Sequence, residues 1–168
     1  MTLSEMLLPE FDQEMAATRR TIERVPDEKL DWQPHEKSMP MRGLITHLSN
    51  MPTWVGHALG TDALDLAPQG VPVRAAPVGS TREAVETFDR NVAEARSAIA
   101  GADDAAFGGT WSLLQNGRTI FTLPKLAVVR TFVINHIIHH RAQLGVYLRL
   151  NDVPVPSVYG PSADEGSL

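Results

Sequence analysis

Three histidines lie close together near the C-terminal end of the sequence: His136, His139 and His140. In a helix, with about 100° of rotation per residue, residues four apart lie on one face with their Cβ atoms about 5–6 Å apart. His136 and His140 have this spacing, which allows two imidazoles to bind one metal ion, as in zinc-binding helices. His139 is rotated away from that face.

The apolar residues around this histidine pair leave two interpretations open. His136 and His140 lie inside or at the margin of an apolar stripe, so both are expected to face the core. A single histidine on such a face is commonly a core residue with one hydrogen bond. Two imidazoles buried side by side are unfavourable unless something ties them together, and a metal ion would do so. The stripe consists of Leu126, Val129, Val133, Ile137, Leu144, Tyr147 and Leu148.

A third ligand has to come from another helix, and His47 is the candidate. It lies at the edge of the apolar stripe of an earlier segment, on the side of Met51 and Trp54. His57 falls on the polar side of that segment and His35 lies in a proline-bounded connector, so we expect both to be solvated.

Other polar residues near the pair have less specific interpretations. Gln143 is one turn from both histidines; it either orients an imidazole or a bound water, or it is an ordinary surface glutamine. Asn135 and Arg141 are expected to face solvent or a partner subunit. The sequence places no acidic residue next to the candidate ligands, so it identifies no general base.

Four amphipathic segments are expected to position these residues, because apolar residues recur at three- and four-residue steps with charges between them. Pro52 predicts a kink in the second segment, and Ser80 with Glu83 predicts a capping box for the third. The predicted helices span about residues 2–25, 41–59, 80–101 and 124–150.

The remaining segments are predicted to be non-helical. Residues 60–79 have no clear period and predict a loop, and residues 151–168 predict an irregular tail. A small β-hairpin around Asn116 and Gly117, or else an extended loop, precedes the last helix. The sequence therefore predicts an all-α protein, a four-helix bundle that forms one domain over residues 1–168.

Composition excludes several classes of function. The chain has 168 residues, a formal net charge of -5 and no cysteine. Disulfides, thiolate metal sites and cysteine nucleophiles are therefore excluded, and the acidic balance argues against nucleic acid as a partner. No apolar run approaches the roughly 20 residues of a membrane span, and the N-terminal residues lack the features of a signal peptide. We expect a cytoplasmic protein with no membrane partner.

An apolar flank widens the core stripe of the last helix. It consists of Val128, Phe132, Val146 and Leu150. Either a homodimer buries these residues, or the intramolecular core is broader than two neighbouring helices require.

Several segments together resemble the DinB family, a group of small bacterial metal-binding four-helix bundles. The family's entrance to its second helix is matched by DWQP at 31–34, KSM at 37–39 and LITHL at 44–48. Its fourth-helix signature is matched by NHIIHHRAQL at 135–144 and YLR at 147–149. The tail VPVPSVYGPS at 153–162 is also similar to members of the family.

This resemblance implies an up-down-down-up bundle, often dimeric, with zinc or nickel on His47, His136 and His140. Relatives include transferases and isomerases that use low-molecular-weight thiols. We therefore expect a metal-dependent enzyme of the thiol-transferase type that acts on a small electrophile in an accessible cavity beside the ion. A non-catalytic metal-binding stress-response dimer with a closed site, and a metal-dependent hydrolase, are the alternatives.

Overall fold

The protein is mostly helical and carries one small sheet. The structure is a computed structural model that describes residues 1–166. Its α-helices are α1 (Leu3–Glu23), α2 (Met41–Asn50), α3 (Thr53–Gly60), α4 (Thr81–Gly101), α5 (Asp104–Gly108), α6 (Lys125–Val128) and α7 (His136–Leu150). A π-helical segment, Val129–Asn135, joins α6 to α7, and short 3₁₀ turns occupy Asp27–Lys29 and Pro68–Gly70. Within the described residues, no helix combines the length and hydropathy that crossing a membrane requires.

Side-chain caps fix where the two longest helices begin. The Thr2 hydroxyl accepts the Glu5 N–H at 3.2 Å, while the Glu5 carboxylate accepts the Thr2 N–H at 2.7 Å, which completes a capping box for α1. At α4 the Ser80 hydroxyl accepts the Glu83 N–H at 3.1 Å. The predicted box is only half formed there, because the Glu83 carboxylate accepts the N–H of Gly79 instead, at 2.7 Å.

The second predicted helix is divided at the expected proline. Helix α2 ends at Asn50 and α3 begins at Thr53, so Pro52 lies in the break. Proline lacks the N–H that a continuous helix would need at this position. The sequence predicted a kink at Pro52, and the structure has a complete break between two helices there.

The predicted hairpin is confirmed, but the sheet is larger than expected. Strands β2 (Thr110–Gln115) and β3 (Arg118–Pro124) pair antiparallel around Asn116 and Gly117, whose φ angles of 50° and 74° are typical of a primed turn. A further strand, β1 (Ala63–Asp65), pairs parallel with β2. The loop predicted over 60–79 therefore contains a strand that the sequence did not indicate, while the chain is mostly helical as predicted.

The short β1 strand depends on one carboxylate. Asp65 accepts the N–H groups of Asn116 at 2.9 Å and Gly117 at 2.7 Å, and so binds the hairpin turn. A three-residue strand is too short to show the alternation by which strands are recognised in a sequence. The sequence of β1 therefore contains no periodic pattern that would predict its pairing with β2.

The long helices share one core. Helix α1 packs against α4 and α7, and α2 packs against the same two helices. Two buried polar contacts connect α2 to α4: the Ser49 hydroxyl donates to the Ala84 carbonyl at 2.9 Å, and the Asn91 amide donates to the Ser49 carbonyl at 2.8 Å. The largest fully buried side chains include Phe11, Phe88, Phe107, Trp111, Met41 and Ile134.

Arg141 lies in the core, and the expectation that it faces solvent or a partner subunit was wrong. Its side chain is 4% exposed and its guanidinium lies 2.6 Å from the carboxylate of Glu14 in α1, which is itself 7% exposed. The Tyr159 hydroxyl donates to both Glu14 oxygens at 2.9 Å and accepts from Arg141 at 2.7 Å. The burial of the guanidinium is possible because these partners occupy its hydrogen-bonding positions.

The C-terminal tail follows the prediction over the residues that the structure describes. Residues 151–166 contain no helix, and Tyr159 attaches the tail to α1 and α7. Ser167 and Leu168 lie outside the described residues.

The apolar flank of the last helix divides between core and surface. Val128 is fully buried, and Phe132 packs against Phe121 with ring centroids 4.5 Å apart. Val146 and Leu150 are each 58% exposed. Half of the flank therefore belongs to the intramolecular core.

The buried ion pair predicts a large loss of stability when one partner is neutralised. We expect Glu14→Gln to lower the free energy of unfolding by about 3 kcal/mol, because an uncompensated guanidinium would stay buried. The matched control is Asp12→Asn, which breaks the half-exposed Asp12–Arg96 pair between α1 and α4 and should change stability by less than about 1 kcal/mol. Urea unfolding followed by circular dichroism measures both. Equal small losses in the two variants would contradict this role of the pair.

Candidate metal centre

The structure brings the three predicted histidines together between α2 and α7. The Nε2 atom of His47 lies 3.2 Å from Nε2 of His136, which in turn lies 2.8 Å from Nε2 of His140. All three ligand atoms lie within 4.8 Å of one another. We call this group the histidine trio. Each of its side chains is half-buried.

The trio matches the requirements of a divalent ion. In a tetrahedral zinc site with Zn–N bonds of 2.0–2.1 Å, neighbouring nitrogens are about 3.3 Å apart. The separation of 3.2 Å between His47 and His136 agrees with this value, and the separation of 2.8 Å between His136 and His140 is shorter. Within residues 1–166, the trio is the one group of three or more histidine or acidic side chains arranged to hold an ion. Three imidazoles leave a fourth position around such an ion open, which is typical of catalytic sites.

Burial keeps the trio in its neutral form. The pKa of His47 is lowered from 6.5 to about 4, mainly by burial and further by the proximity of His140 and His136. Burial also lowers the pKa of His136 and of His140, with His139 adding a smaller effect in both cases. A neutral imidazole has a free lone pair, so the trio is ready to bind a metal at neutral pH.

Two of the three imidazoles are oriented by further hydrogen bonds. His140 Nδ1 lies 2.7 Å from Gln143 Oε1, and an amide oxygen only accepts, so Nδ1 carries the proton and Nε2 is free. This is the orienting role that the sequence had left open for Gln143. His136 hydrogen-bonds the backbone of Phe132, which favours the protonated ring and partly opposes the lowering of its pKa.

The contact of His136 with Phe132 connects the start of α7 to the π-helical segment that precedes it. Phe132 lies inside this segment, Val129–Asn135, and the His136 N–H bonds the Val133 carbonyl at its end. Short π-helical segments inside helices occur frequently at functional sites. No sequence signal indicates this contact, because it uses a backbone carbonyl and a helical irregularity.

A cavity adjoins the trio at His47. It has a volume of about 500 Å³, and its walls come from α2, the start of α3 and residues 73–77. Arg74 from the predicted loop is one of the lining residues, and sequence analysis did not identify it. A second, apolar cavity of about 420 Å³ lies between α7 and the tail, and no member of the trio lines it.

The other histidines stay outside the trio, as predicted. His139 is exposed, and its ring lies edge-on to that of His140 with centroids 4.9 Å apart. His57 and His35 are exposed as well, and His35 accepts the Lys37 N–H at 3.1 Å. Asn135 is also exposed.

Known structures have the same fold. A DinB-like protein from Bacillus cereus ATCC 10987 is 18% identical, covers 94% of this chain and 98% of its own, and superposes with a TM-score of 0.68. A DinB-like protein from Bacillus subtilis is 16% identical, with coverages of 91% and 96% and a TM-score of 0.67. No curated protein matches this chain significantly.

The sequence profile of the DinB superfamily matches residues 10–144, a region that includes all three members of the histidine trio. The chain belongs to the DinB superfamily.

Proposed function

We propose that the protein binds a divalent metal ion, zinc or nickel, at His47, His136 and His140, and that it is a metal-dependent enzyme of the low-molecular-weight-thiol transferase type. Its substrate would be a small electrophile. The observation that carries this proposal is the convergence of three neutral imidazoles at the wall of an open cavity. An ion held only to connect two helices would not need such a cavity.

A divalent ion at the trio would bind the sulfur of an external thiol and favour its thiolate form. The chain itself contributes the orientation of the imidazoles, through Gln143 on His140 and the Phe132 backbone on His136. In the overall reaction a carbon–sulfur bond forms, the leaving group departs with its electron pair, and the thiol proton passes to solvent. The absence of cysteine from the chain is compatible with an external thiol.

The alternatives have less support from the site. Metal-dependent hydrolysis commonly uses a carboxylate to accept a proton from the attacking water. No carboxylate belongs to the trio or lines the adjoining cavity among the described residues. The non-catalytic alternative is a stress-response dimer with a closed site, whereas the cavity at His47 is open to solvent.

We propose two further features on the family resemblance. The long helices would form a single-domain, up-down-down-up four-helix bundle. The exposed Val146 and Leu150 of α7 would contribute to a homodimer interface. Light scattering that returned the mass of one chain at micromolar concentration would contradict the homodimer.

Elemental analysis of tag-free protein tests the metal site. We expect about one zinc or nickel ion per chain after loading, and no tight binding in His47→Ala or His140→Ala, because each substitution removes one of three ligands. His139→Ala is the matched control, since His139 lies on the same helix with its side chain exposed, and it should keep the ion. Equal loss in all three variants would show that the ligand set is wrong.

The same proteins then test the activity. N-acetylcysteine serves as the thiol, 1-chloro-2,4-dinitrobenzene and 4-chloro-3,5-dinitrobenzoate serve in turn as an uncharged and an anionic electrophile, and the absorbance of the thioether measures the rate. Under the proposal, the rate above the uncatalysed background requires the metal, is lost in His47→Ala and persists in His139→Ala. A loaded protein with no transfer, whose main response to chelation is a large loss of stability, would favour the non-catalytic alternative.

Metal affinity should depend weakly on pH near neutrality. Protons compete with the ion for Nε2, so affinity falls as the pH falls through the pKa of each ligand. Three imidazoles with the ordinary pKa of about 6.5 would lose about 50-fold in affinity between pH 7.5 and pH 6. Here the pKa of His47 is about 4 and those of His136 and His140 are lowered. We expect a loss of less than about tenfold over this interval in chelator competition, and a 50-fold loss would contradict it.

A further inference from the structure

The cavity beside the histidine trio has a wall that belongs to none of the helices. Residues 73–77, together with α2 and the start of α3, line a cavity of about 500 Å³. Sites for small ligands commonly have volumes of about 300–1,000 Å³. The cavity is therefore large enough for a small organic molecule with one end at His47.

This wall is attached at both ends. The Val73 N–H donates to the Leu66 carbonyl at 2.8 Å, and the Val78 N–H donates to the Thr46 hydroxyl at 3.1 Å. Arg42 also donates to the Val78 carbonyl, at 2.9 Å. Thr46 is the residue before His47 in α2, so the wall is fixed directly beside the metal-binding face.

Arg74 is the charged group of this wall. It lines the cavity, and among the described residues no carboxylate lines the cavity with it. The chain has 20 acidic residues, and most of its arginines form ion pairs with them. Arg74 forms neither an ion pair nor a hydrogen bond with another residue of the described region. Its guanidinium is therefore available to a ligand.

The rest of the lining suits an apolar body. The Trp54 indole and the Met39 and Met51 side chains provide apolar surface. The Asn50 amide donates to the Thr46 carbonyl at 2.8 Å, which leaves its oxygen as an acceptor. One guanidinium matches one carboxylate through two parallel hydrogen bonds.

We propose that this cavity binds a small organic carboxylate, with the carboxylate on Arg74 and the apolar body against Trp54. This inference rests on the proposed function, because it names the substrate class of the same site. The electrophile would thus be an anion whose reactive end lies at the histidine trio.

Benzoate is the probe, titrated into zinc-loaded full-length protein by calorimetry, with uncharged benzamide as its isostere. We expect Arg74→Gln to weaken benzoate binding about two- to fivefold and to remove most of its dependence on salt, since the pair is charged and Arg74 is exposed. Arg118→Gln is the matched control, because Arg118 is exposed and lies in the hairpin away from the cavity. It should bind benzoate like the wild type, and benzamide should bind the wild type more weakly.

The outcomes separate this inference from the proposed function. Equal benzoate affinity in the wild type and Arg74→Gln would overturn the carboxylate site even if zinc binds as proposed. Absence of benzoate binding to the wild type, or benzamide binding as tight as that of benzoate, would overturn it as well. Conversely, a chain that binds no zinc but binds benzoate in an Arg74-dependent way would support the carboxylate site while the proposed function fails.

Discussion

The buried ion pair between Glu14 and Arg141 is the interaction on which the position of the histidine trio depends. Arg141 directly follows His140, and adjacent residues of a helix point about 100° apart. When the guanidinium is fixed on α1, the rotation of α7 about its own axis is fixed too, and His140 then faces α2. Burying a charge pair contributes little net stability, so the stronger argument for this pair is that it selects one orientation of α7.

On the other side of the site, polar contacts with α4 fix the orientation of α2. Ser49 lies two residues after His47, and its buried hydroxyl and carbonyl bind Ala84 and Asn91 of α4. The trio thus lies between two helices, each of which is fixed by polar contacts to another helix: α7 to α1, and α2 to α4.

The sequence predicts best those features that have a periodic pattern or a characteristic turn. The spacing of His136 and His140 and the position of His47 on its stripe made these residues candidates, and the family resemblance joined them into one group. The turn residues Asn116 and Gly117 favoured the hairpin. Other features have no periodic signal. The burial of Arg141 depends on Glu14, which is far away in sequence. Arg74 lies in a segment without regular structure, so only the folded chain shows that it reaches the cavity.

The segment 73–77 is attached to the rest of the protein through backbone groups at its ends, the N–H of Val73 and the N–H and carbonyl of Val78. The side chains between these points take no part in the attachment. Substitutions there can therefore accumulate during evolution without disturbing α2 or the histidines. This arrangement lets residues 74–77 change independently of the histidine trio, so related chains can differ in what the cavity accepts while they keep the same three histidines.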